Sequence, residues 1–340
     1  TTRPEPQVAG SLLQIGTRRI FEHEHDQYRE LCRRFYEDRV IPFHLKWEEE
    51  GQVPRELWKD AGAEGLLCVT VPPEYGGLGL DVRYAAVNWE EQSYANCTGP
   101  GWFLHSEIVA PYLMHYGTEE QKQKYLPVMC TGEKIGAIAM TEPGAGSDLA
   151  GMRTTAVRDG DDYILNGSKT YITNGWHSDM VIVCAKTDPS KGAKGISLFL
   201  VDAGTKGFTK GSKLKKIGMK AQDTCELFFE DCRIPASALL GEENKGFIYL
   251  MSELPQERLL VADMALASAE ACFEWTRTFV KERKAFGAPL ANLQTIKHRL
   301  ATLKTEITIG RTFIDRCIEL LSEKKLDNST VSMAKYWATD

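Results

Sequence analysis

The stretch Gly136-Ala-Ile-Ala-Met-Thr-Glu-Pro-Gly-Ala-Gly-Ser-Asp148 joins a short β-type run to a turn of small residues. Pro143 ends the run, and the glycines of Gly144-Ala-Gly146 let the backbone approach a ligand because glycine has no side chain. Thr141 and Ser147 flank the turn with hydroxyl groups that both donate and accept hydrogen bonds. Such a turn suits a flat polar ring, although an ordinary hairpin turn has the same composition. It is not a dinucleotide fingerprint, because the third glycine is missing and Glu-Pro stands where a strand would enter the turn.

The hydrophobic pattern changes on either side of this stretch and predicts three regions. Residues 1–132 carry apolar side chains at helical spacing and are predicted to form an all-helical domain. Residues 133–240 contain short β-type runs between Gly, Asp, Asn and Pro turns, which predicts an antiparallel barrel or sandwich. Residues 241–340 return to the helical period and are predicted to form an incomplete helical bundle. The predicted fold class is therefore α+β.

Local signals place several elements more closely. Apolar residues over 24–39 predict a helix that Pro42 ends, because proline cannot continue a helix. Thr118, followed three residues later by Gln121, has the spacing of a capping box. From Ile296 to Leu321 apolar residues recur at alternating steps of four and three, which predicts a seam for packing another helix. The β-type runs lie at 135–140, 162–165, 180–185, 196–201 and 226–229.

Composition limits the function. The chain has 340 residues, of which 43% are hydrophobic and 26% charged, which is typical of a folded globule with two or three domains. Its net charge of -6 argues against a nucleic-acid partner. The nine cysteines are odd in number and contain no Cys-x-x-Cys pair, which indicates reduced thiols. No run approaches the ~20 apolar residues of a membrane span, so no transmembrane segment is expected. No transit peptide is visible.

Further motifs accompany the opening stretch, and the chain along almost its whole length resembles the acyl-CoA dehydrogenase family. The motifs that carry the resemblance are Met140-Thr-Glu-Pro-Gly-Ala-Gly-Ser-Asp148, Leu165-Asn-Gly-Ser-Lys-Thr-Tyr-Ile-Thr-Asn-Gly175, Phe229-Glu-Asp-Cys-Arg-Ile-Pro235, Gly241-Glu-Glu-Asn-Lys-Gly-Phe247 and Arg283-Lys-Ala-Phe-Gly287. Leu254-Pro-Gln-Glu-Arg-Leu259 and Lys220-Ala-Gln-Asp-Thr224 are most similar to the long-chain members.

The resemblance implies an activity and its partners. It implies α,β-dehydrogenation of a medium- or long-chain fatty acyl-CoA to the trans-2-enoyl-CoA, in fatty acid β-oxidation, with FAD as the cofactor. It further implies electron-transferring flavoprotein as the electron acceptor, a homo-oligomer built as a dimer of dimers, and the mitochondrial matrix as the location.

The resemblance also implies a catalytic base. In the long-chain and isovaleryl members the base is the Glu before an Arg, and Glu257 before Arg258 matches that position. From the residues alone, Glu257 after Pro255 is predicted in the first turn of a helix, where the helix dipole favours any carboxylate. A base for a weakly acidic α-proton needs a dry pocket that raises its pKa towards working pH.

Cofactor and substrate positions follow from the same resemblance. The implied FAD contacts are Ile138, Ala139, Met140, Thr141, Gly146, Ser147, Tyr171, Ile172 and Thr173. Arg283, Phe286 and Gln294 match positions that reach the FAD of a neighbouring subunit. The implied substrate positions are Ser147, Pro255, Gln256, Arg258, Gly99 and Gly101. Without the family, Tyr171 is better explained as a barrel-core aromatic, and Arg283 as a solvated charge.

Gly99-Pro-Gly101 has two interpretations. It is either a plain turn between helices, or the floor of an acyl pocket that stays open because no side chain fills it. Under the second interpretation, Gly101→Gln shifts the preferred acyl chain towards shorter lengths.

Other functions remain as alternatives. An acyl-CoA oxidase, in which oxygen reoxidises the flavin, shares the same motifs. The family continues past the position of Asp340 with a Gly-Gly segment and a final helix, so a shortened, catalytically impaired subunit that binds flavin and acyl-CoA is a second alternative. A NAD-linked enzyme is disfavoured because no Gly-x-Gly-x-x-Gly turn is present. The seven histidines show no metal-ligand spacing, so no metal is predicted.

Overall fold

The computed structural model describes residues 11, 12 and 18–340, and its helices precede and follow a run of strands in the sequence. The helices before the strands are α1 His23–Phe35, α2 Ile41–Glu50, α3 Arg55–Ala63, α4 Val82–Tyr94, α5 Trp102–Leu104, α6 Ala110–Tyr116 and α7 Glu119–Cys130. Those after the strands are α8 Gly246–Glu282, α9 Gln294–Ser322 and α10 Asn328–Thr339. The predicted α+β class is confirmed.

The strands form one large mixed sheet. They are β1 Gly136–Ala139, β2 Thr155–Asp159, β3 Asp162–Thr173, β4 Met180–Lys186, β5 Ile196–Asp202, β6 Phe208–Lys213, β7 Thr224–Pro235 and β8 Leu239–Leu240. Their order is β6-β7-β3-β2-β4-β5-β8, and β1 pairs with β4. The prediction of an antiparallel sheet is wrong for the pairs β1–β4 and β2–β4, which are parallel. The chain from β1 to β4 makes a long crossover, and parallel neighbours require such a connection.

Strand β4 explains the unbroken apolar run at 180–185. Alternate residues Val181 and Val183 pack with Phe199, Tyr163 and other strand side chains. Ile182 and Cys184 point to the other face, in the cluster that holds Val109, Leu113 and Leu126 of the helices. A strand covered on both faces has no position for a polar residue, so it carries no alternation.

The contacts divide the chain into two compact units. One contains the described residues up to Asp38, Val82–Cys97 and Arg258–Asp340. The other contains Arg39–Asp81 and Thr98–Glu257, and therefore the whole eight-stranded sheet. The domain boundaries at residues 132 and 240 stay predictions, because these units group the chain by contact and not by sequence order.

Pro42 marks a helix boundary, but not the end of helical structure. Helix α1 ends at Phe35, a π-helical turn covers Tyr36–Val40, and α2 begins at Ile41 with Pro42 in its first turn. Proline is tolerated there because the first-turn N–H has no partner within the helix.

The capping box at the start of α7 is confirmed. The Gln121 amide N–H donates to Thr118 Oγ1 at 3.3 Å, and the Thr118 N–H donates to Gln121 Oε1 at 3.0 Å. Both bonds satisfy donors that a helix start leaves unpaired.

The predicted seam on α9 is buried only in its C-terminal half. Ile307, Gly310, Ile314 and Cys317 are buried, whereas the earlier seam residues are half-exposed. A Cβ at Gly310 would lie 2.3 Å from a ring carbon of Trp337, so the missing side chain lets α10 approach.

In the part of the chain that the structure describes, no helix is both long and apolar enough to cross a membrane.

His105 is predicted to make the stability of the protein depend on pH. It is fully buried, accepts from the Gly136 N–H at Nδ1 (3.0 Å), and places Nε2 3.1 Å from the Met129 carbonyl. Burial lowers its pKa from 6.5 to about 4. Below pH 6.5 the unfolded chain takes up a proton that the folded chain refuses, so stability falls as pH decreases towards 4.

The expected contribution of His105 is a loss of about 3 kcal/mol in the free energy of unfolding over that window. Urea unfolding at several pH values should show this extra slope in the wild type and not in His105→Gln. The same replacement at exposed His298 serves as the control. Equal slopes in the wild type and His105→Gln would contradict the assignment.

Candidate active site

The turn after β1 is held by its own backbone. The Glu142 N–H donates to the Ala145 carbonyl at 2.9 Å, and the Ala145 N–H donates to the Glu142 carbonyl at 3.1 Å. A Cβ added at Gly144 or Gly146 would meet no described atom within 4 Å, so this turn borders open space. The turn therefore offers backbone and hydroxyl groups in a form that a flat ligand can reach.

The predicted cofactor residues around this turn differ in exposure. Ile138 and Ala139 are buried in β1, so their side chains belong to the core. Met140 and Thr141 are half-buried, and Gly146 and Ser147 are exposed. A ligand can therefore reach the side chains in the second half of the stretch. In the first half it can contact only main-chain groups.

A buried ion pair anchors the turn to β3. Lys169 is fully buried, and its Nζ lies 2.8 Å from Glu142 Oε1 and 3.1 Å from the Met140 carbonyl. Glu142 also accepts from the N–H groups of Arg153 and Thr154 at 2.6 and 3.0 Å. Burial alone would raise the pKa of Glu142, but the charge of Lys169 and these donors outweigh it, and the pKa is lowered. The acid is therefore held ionised.

We expect Lys169→Met to destabilise the protein by about 3 kcal/mol, because it leaves the buried Glu142 carboxylate without its countercharge. Lys191 is the matched control, since it pairs with Asp188 at 2.9 Å but is 56% exposed. Lys191→Met should cost much less, because solvent screens an exposed pair. Urea unfolding of both variants checks the difference, and similar losses would show that the buried pair has no special role.

Strand β3 brings the second predicted cofactor stretch beside the turn. The Thr170 N–H donates to the Thr141 carbonyl at 2.9 Å. Tyr171 follows in the left-handed region at φ 59°, and its side chain is 69% exposed. The interpretation of Tyr171 as a barrel-core aromatic is therefore wrong. A bulky residue with such a φ stores strain, which is common at ligand sites. Ile172 is buried, and Thr173 is half-buried.

Glu257 lies inside a long helix and not in a first turn. Helix α8 begins at Gly246 and has 37 residues, with Pro255 in its interior. The sequence prediction failed because proline is common at helix starts, while here it only omits one internal hydrogen bond. The helix dipole therefore gives no account of this carboxylate, since its effect is confined to the first turn.

The Glu257 carboxylate is held by a tyrosine. The fully buried Tyr112 of α6 donates its hydroxyl to Glu257 Oε1 at 3.1 Å. Burial, followed by the charge of Glu257, raises the pKa of Tyr112, so its phenol remains a donor.

Cys184 is a buried thiol on β4. Burial raises the pKa of this β4 thiol to about 12, and the charges of Lys169, Glu257 and Glu142 all act on it. The thiol is therefore neutral at working pH.

The neighbours of Glu257 make structural contacts. Gln256 Nε2 donates to the Glu107 carbonyl at 2.8 Å. Arg258 Nη1 donates to Asn328 Oδ1 and Ser332 Oγ at 3.2 and 3.3 Å. Pro255 is half-buried within the helix. These contacts fix the helix, and a substrate role for the three residues stays a prediction.

The acyl-pocket interpretation of Gly99 and Gly101 assumes that the space beside each glycine is open, and this assumption is wrong. A Cβ at Gly101 would lie 1.9 Å from the Oδ1 atom of Asn174, and one at Gly99 would lie 2.8 Å from the Ala221 Cβ. Asn174 also donates to the Gly101 carbonyl at 2.9 Å. Both glycines serve close packing, so Gly101→Gln tests folding and not acyl chain length.

Arg283, Phe286 and Gln294 are all exposed. Phe286 is 95% exposed and lies at φ 54° in the turn of a two-stranded hairpin, β9 Lys284–Ala285 with β10 Ala288–Pro289. Gln294 is the first residue of α9. These side chains are open to a partner, as the prediction requires, but their cofactor role stays a prediction.

Sequence reasoning missed Lys169, Glu142 and Tyr112 as site residues. The available signal was one acid, Glu142, and one base, Lys169, each inside a family motif. For metals, no group of three or more His, Cys, Asp or Glu side chains among residues 11–12 and 18–340 is arranged to hold an ion.

Known protein families and relatives match this chain over most of its length. The acyl-CoA dehydrogenase N-terminal, middle and C-terminal domain descriptions match residues 22–133, 137–232 and 244–340. The long-chain specific acyl-CoA dehydrogenase, mitochondrial, of Rattus norvegicus is 59% identical over 99% of this chain and 79% of its own length.

Solved structures agree. An acyl-CoA dehydrogenase from Geobacillus kaustophilus superposes with a TM-score of 0.93 at 51% identity, over 95% of this chain and 85% of that one. A glutaryl-CoA dehydrogenase from Mycobacterium smegmatis, solved in complex with FADH2, has a TM-score of 0.87 at 31% identity, over 95% of this chain and 82% of that one. The chain belongs to the acyl-CoA dehydrogenase family, whose members are flavin-linked oxidoreductases that act on CH–CH bonds.

Proposed function

We propose that the protein oxidises medium- and long-chain fatty acyl-CoA to the trans-2-enoyl-CoA, with FAD as cofactor and Glu257 as the base. The observation that carries the proposal is the Glu257 carboxylate, which accepts from the buried Tyr112 hydroxyl at 3.1 Å. The substrate class rests on the likeness to the rat long-chain enzyme.

The residues present fit a flavin. The turn at Gly144 to Gly146 borders open space, and the hydroxyls of Thr141 and Ser147 flank it. Exposed Tyr171 stands next to this turn, because the Thr170 N–H donates to Thr141. We therefore assign FAD binding to Thr141–Ser147 and Tyr171–Thr173, and a contribution from a neighbouring subunit to Arg283, Phe286 and Gln294.

Glu257 accepts the α-proton in this mechanism. When bound, the flavin supplies the acceptor for the β-hydrogen, which leaves as hydride. The Tyr112 hydrogen bond holds the carboxylate in one orientation, and such positioning reduces the entropy that the reaction must lose. The apolar residues Leu259 and Leu260 that follow are fully buried, which keeps water from that part of the helix.

The partners are proposed on the same basis. We assign electron-transferring flavoprotein as the acceptor, a dimer of dimers as the assembly, and the mitochondrial matrix as the location, by likeness to relatives named as mitochondrial.

The function is tested by anaerobic mixing of the FAD-loaded protein with octanoyl-, lauroyl- and palmitoyl-CoA. We expect the absorbance of the oxidised flavin to be lost. We also expect the trans-2-enoyl-CoA to form, which mass spectrometry detects. Reoxidation should be faster with electron-transferring flavoprotein than with air. Rapid reoxidation by air would establish the oxidase alternative, and an unbleached flavin with all three substrates would refute the proposal.

A further inference from the structure

Two tyrosine–glutamate hydrogen bonds form a ladder between α6 and α8. Tyr112 donates to Glu257 Oε1 at 3.1 Å, and Tyr116 donates to Glu253 Oε1 at 2.7 Å. The partners on each helix are four residues apart, so each pair of side chains lies on one face, one turn apart. Glu253 is therefore the carboxylate next to the proposed base on its own helix.

The Glu253 carboxylate is well held. It is buried, with only 7% of its surface exposed, and His115 Nδ1 lies 2.8 Å from its Oε1. Burial, then Glu253, raises the pKa of Tyr116, so this phenol stays a donor. Tyr116 stacks on Tyr249 with ring centroids 3.9 Å apart, which fixes the donor in place. These contacts hold the Glu253 carboxylate in one orientation.

The groups around Glu257 act on it in opposite directions. The Tyr112 hydroxyl stabilises its carboxylate form by hydrogen bonding. A negative Glu253 one turn away disfavours that form, because like charges at this spacing repel. Burial, followed by the charge of Glu257 and to a smaller extent that of Glu253, raises the pKa of Tyr112, so its hydroxyl remains a donor. On the β4 side, Cys184 has its pKa raised to about 12 and is neutral at working pH.

We propose that Glu253 and Tyr112 are positioning residues that set, from opposite directions, the pH above which Glu257 acts as a base. The inference rests on the function proposed above. Glu253 moves that pH upward and Tyr112 moves it downward, while His115 and Tyr116 keep Glu253 oriented.

The test is the pH dependence of flavin reduction in anaerobic single-turnover mixing with palmitoyl-CoA. In the wild type the rate falls at low pH as Glu257 becomes protonated. For Glu253→Gln we expect this acid limb to move to lower pH by about 0.5–1 unit, because a repelling charge is removed. For Tyr112→Phe we expect a shift of about 0.5–1 unit to higher pH, because a hydrogen bond to the carboxylate is lost.

Matched controls come from a second tyrosine–glutamate pair. Tyr75 donates to exposed Glu119 at 2.9 Å, so Tyr75→Phe and Glu119→Gln remove the same groups at another place. In both control variants the rate of flavin reduction should fall at the same pH as in the wild type. If Glu253→Gln folds poorly, Tyr116→Phe replaces it and should give a smaller shift in the same direction.

An infrared titration of the carboxylic acid band in the FAD-loaded enzyme without substrate gives a second readout. The band that Glu257→Gln removes should titrate at lower pH in Glu253→Gln and at higher pH in Tyr112→Phe. Shifts in the same direction in both variants, or none, would overturn the inference while leaving the proposed function intact. A wild-type rate of flavin reduction in Glu257→Gln would overturn the function itself.

Discussion

Replacement of Glu257 by glutamine is expected to slow flavin reduction by acyl-CoA by ~100- to 10,000-fold, the usual contribution of a general base. An amide cannot accept the α-proton, but its oxygen can still accept the hydrogen bond that Tyr112 donates to Oε1 at 3.1 Å. The fold, the flavin content and acyl-CoA binding should therefore be retained. Stopped-flow mixing with palmitoyl-CoA under anaerobic conditions measures the loss.

The competing view is that Glu257 is a structural residue. Under that view Glu257→Gln lowers thermal stability and flavin content, while the enzyme that remains folded reduces its flavin at the normal rate. Glu119→Gln is the control for the removal of a carboxylate that accepts from a tyrosine, and it should match the wild type in both measurements. Bleaching of the Glu257→Gln flavin near the wild-type rate would refute the assignment.

The sequence predicts those structural features that depend on a local pattern of residues. The capping box of Thr118 and Gln121 spans three residues, and the runs that became β4 and β5 are continuous, so both were found. The π-helical turn after Phe35 and the short strands β2, β6 and β8 have no comparable local signal. Pro255 misled the prediction, because its place inside α8 depends on packing and not on propensity.

The site was predicted only in part, because its decisive contacts are distant in sequence. Lys169 binds Glu142 from 27 residues away, and Tyr112 binds Glu257 from 145 residues away. Periodicity identified each of these regions but not its partner. The resemblance supplied the positions of the proposed base and cofactor contacts, and the structure supplied the hydrogen bonds that orient them.

A buried charge cluster in the unit that contains α9 illustrates the same limit. Arg311 is 2% exposed and forms two bonds to the Glu270 carboxylate, at 2.9 and 2.8 Å. It also donates to Asp263 and, at 3.2 Å, to Glu90, which Arg18 binds as well. Partners lie up to 221 residues away, so the apolar seam on α9 was visible in the sequence and its charged neighbour was not.

The charged groups of this cluster are removed from water, which is energetically unfavourable for their ionised forms. Burial, then the charge of Glu90, raises the pKa of Asp263 to about 7, although Arg311 opposes this rise. Since Glu90, Asp263 and Glu270 are all fully buried, each depends on the arginines for its countercharge. Removal of a buried countercharge costs more than the pair contributes, because the remaining carboxylate has no solvent.

Arg311→Met is accordingly expected to lower the free energy of unfolding by about 3–5 kcal/mol. Arg316 on the same helix is the matched control, because it pairs with Glu319 at 2.8 Å but is 54% exposed. Arg316→Met should cost much less, since solvent screens an exposed pair. The double variant Arg311→Met with Glu270→Gln should be more stable than the sum of the single effects, since it removes one of the stranded charges. Urea unfolding of the wild type and of the four variants Arg311→Met, Arg316→Met, Glu270→Gln and Arg311→Met/Glu270→Gln measures these differences. Equal losses for Arg311→Met and Arg316→Met would mean that water reaches the carboxylates and that the cluster is not held by Arg311.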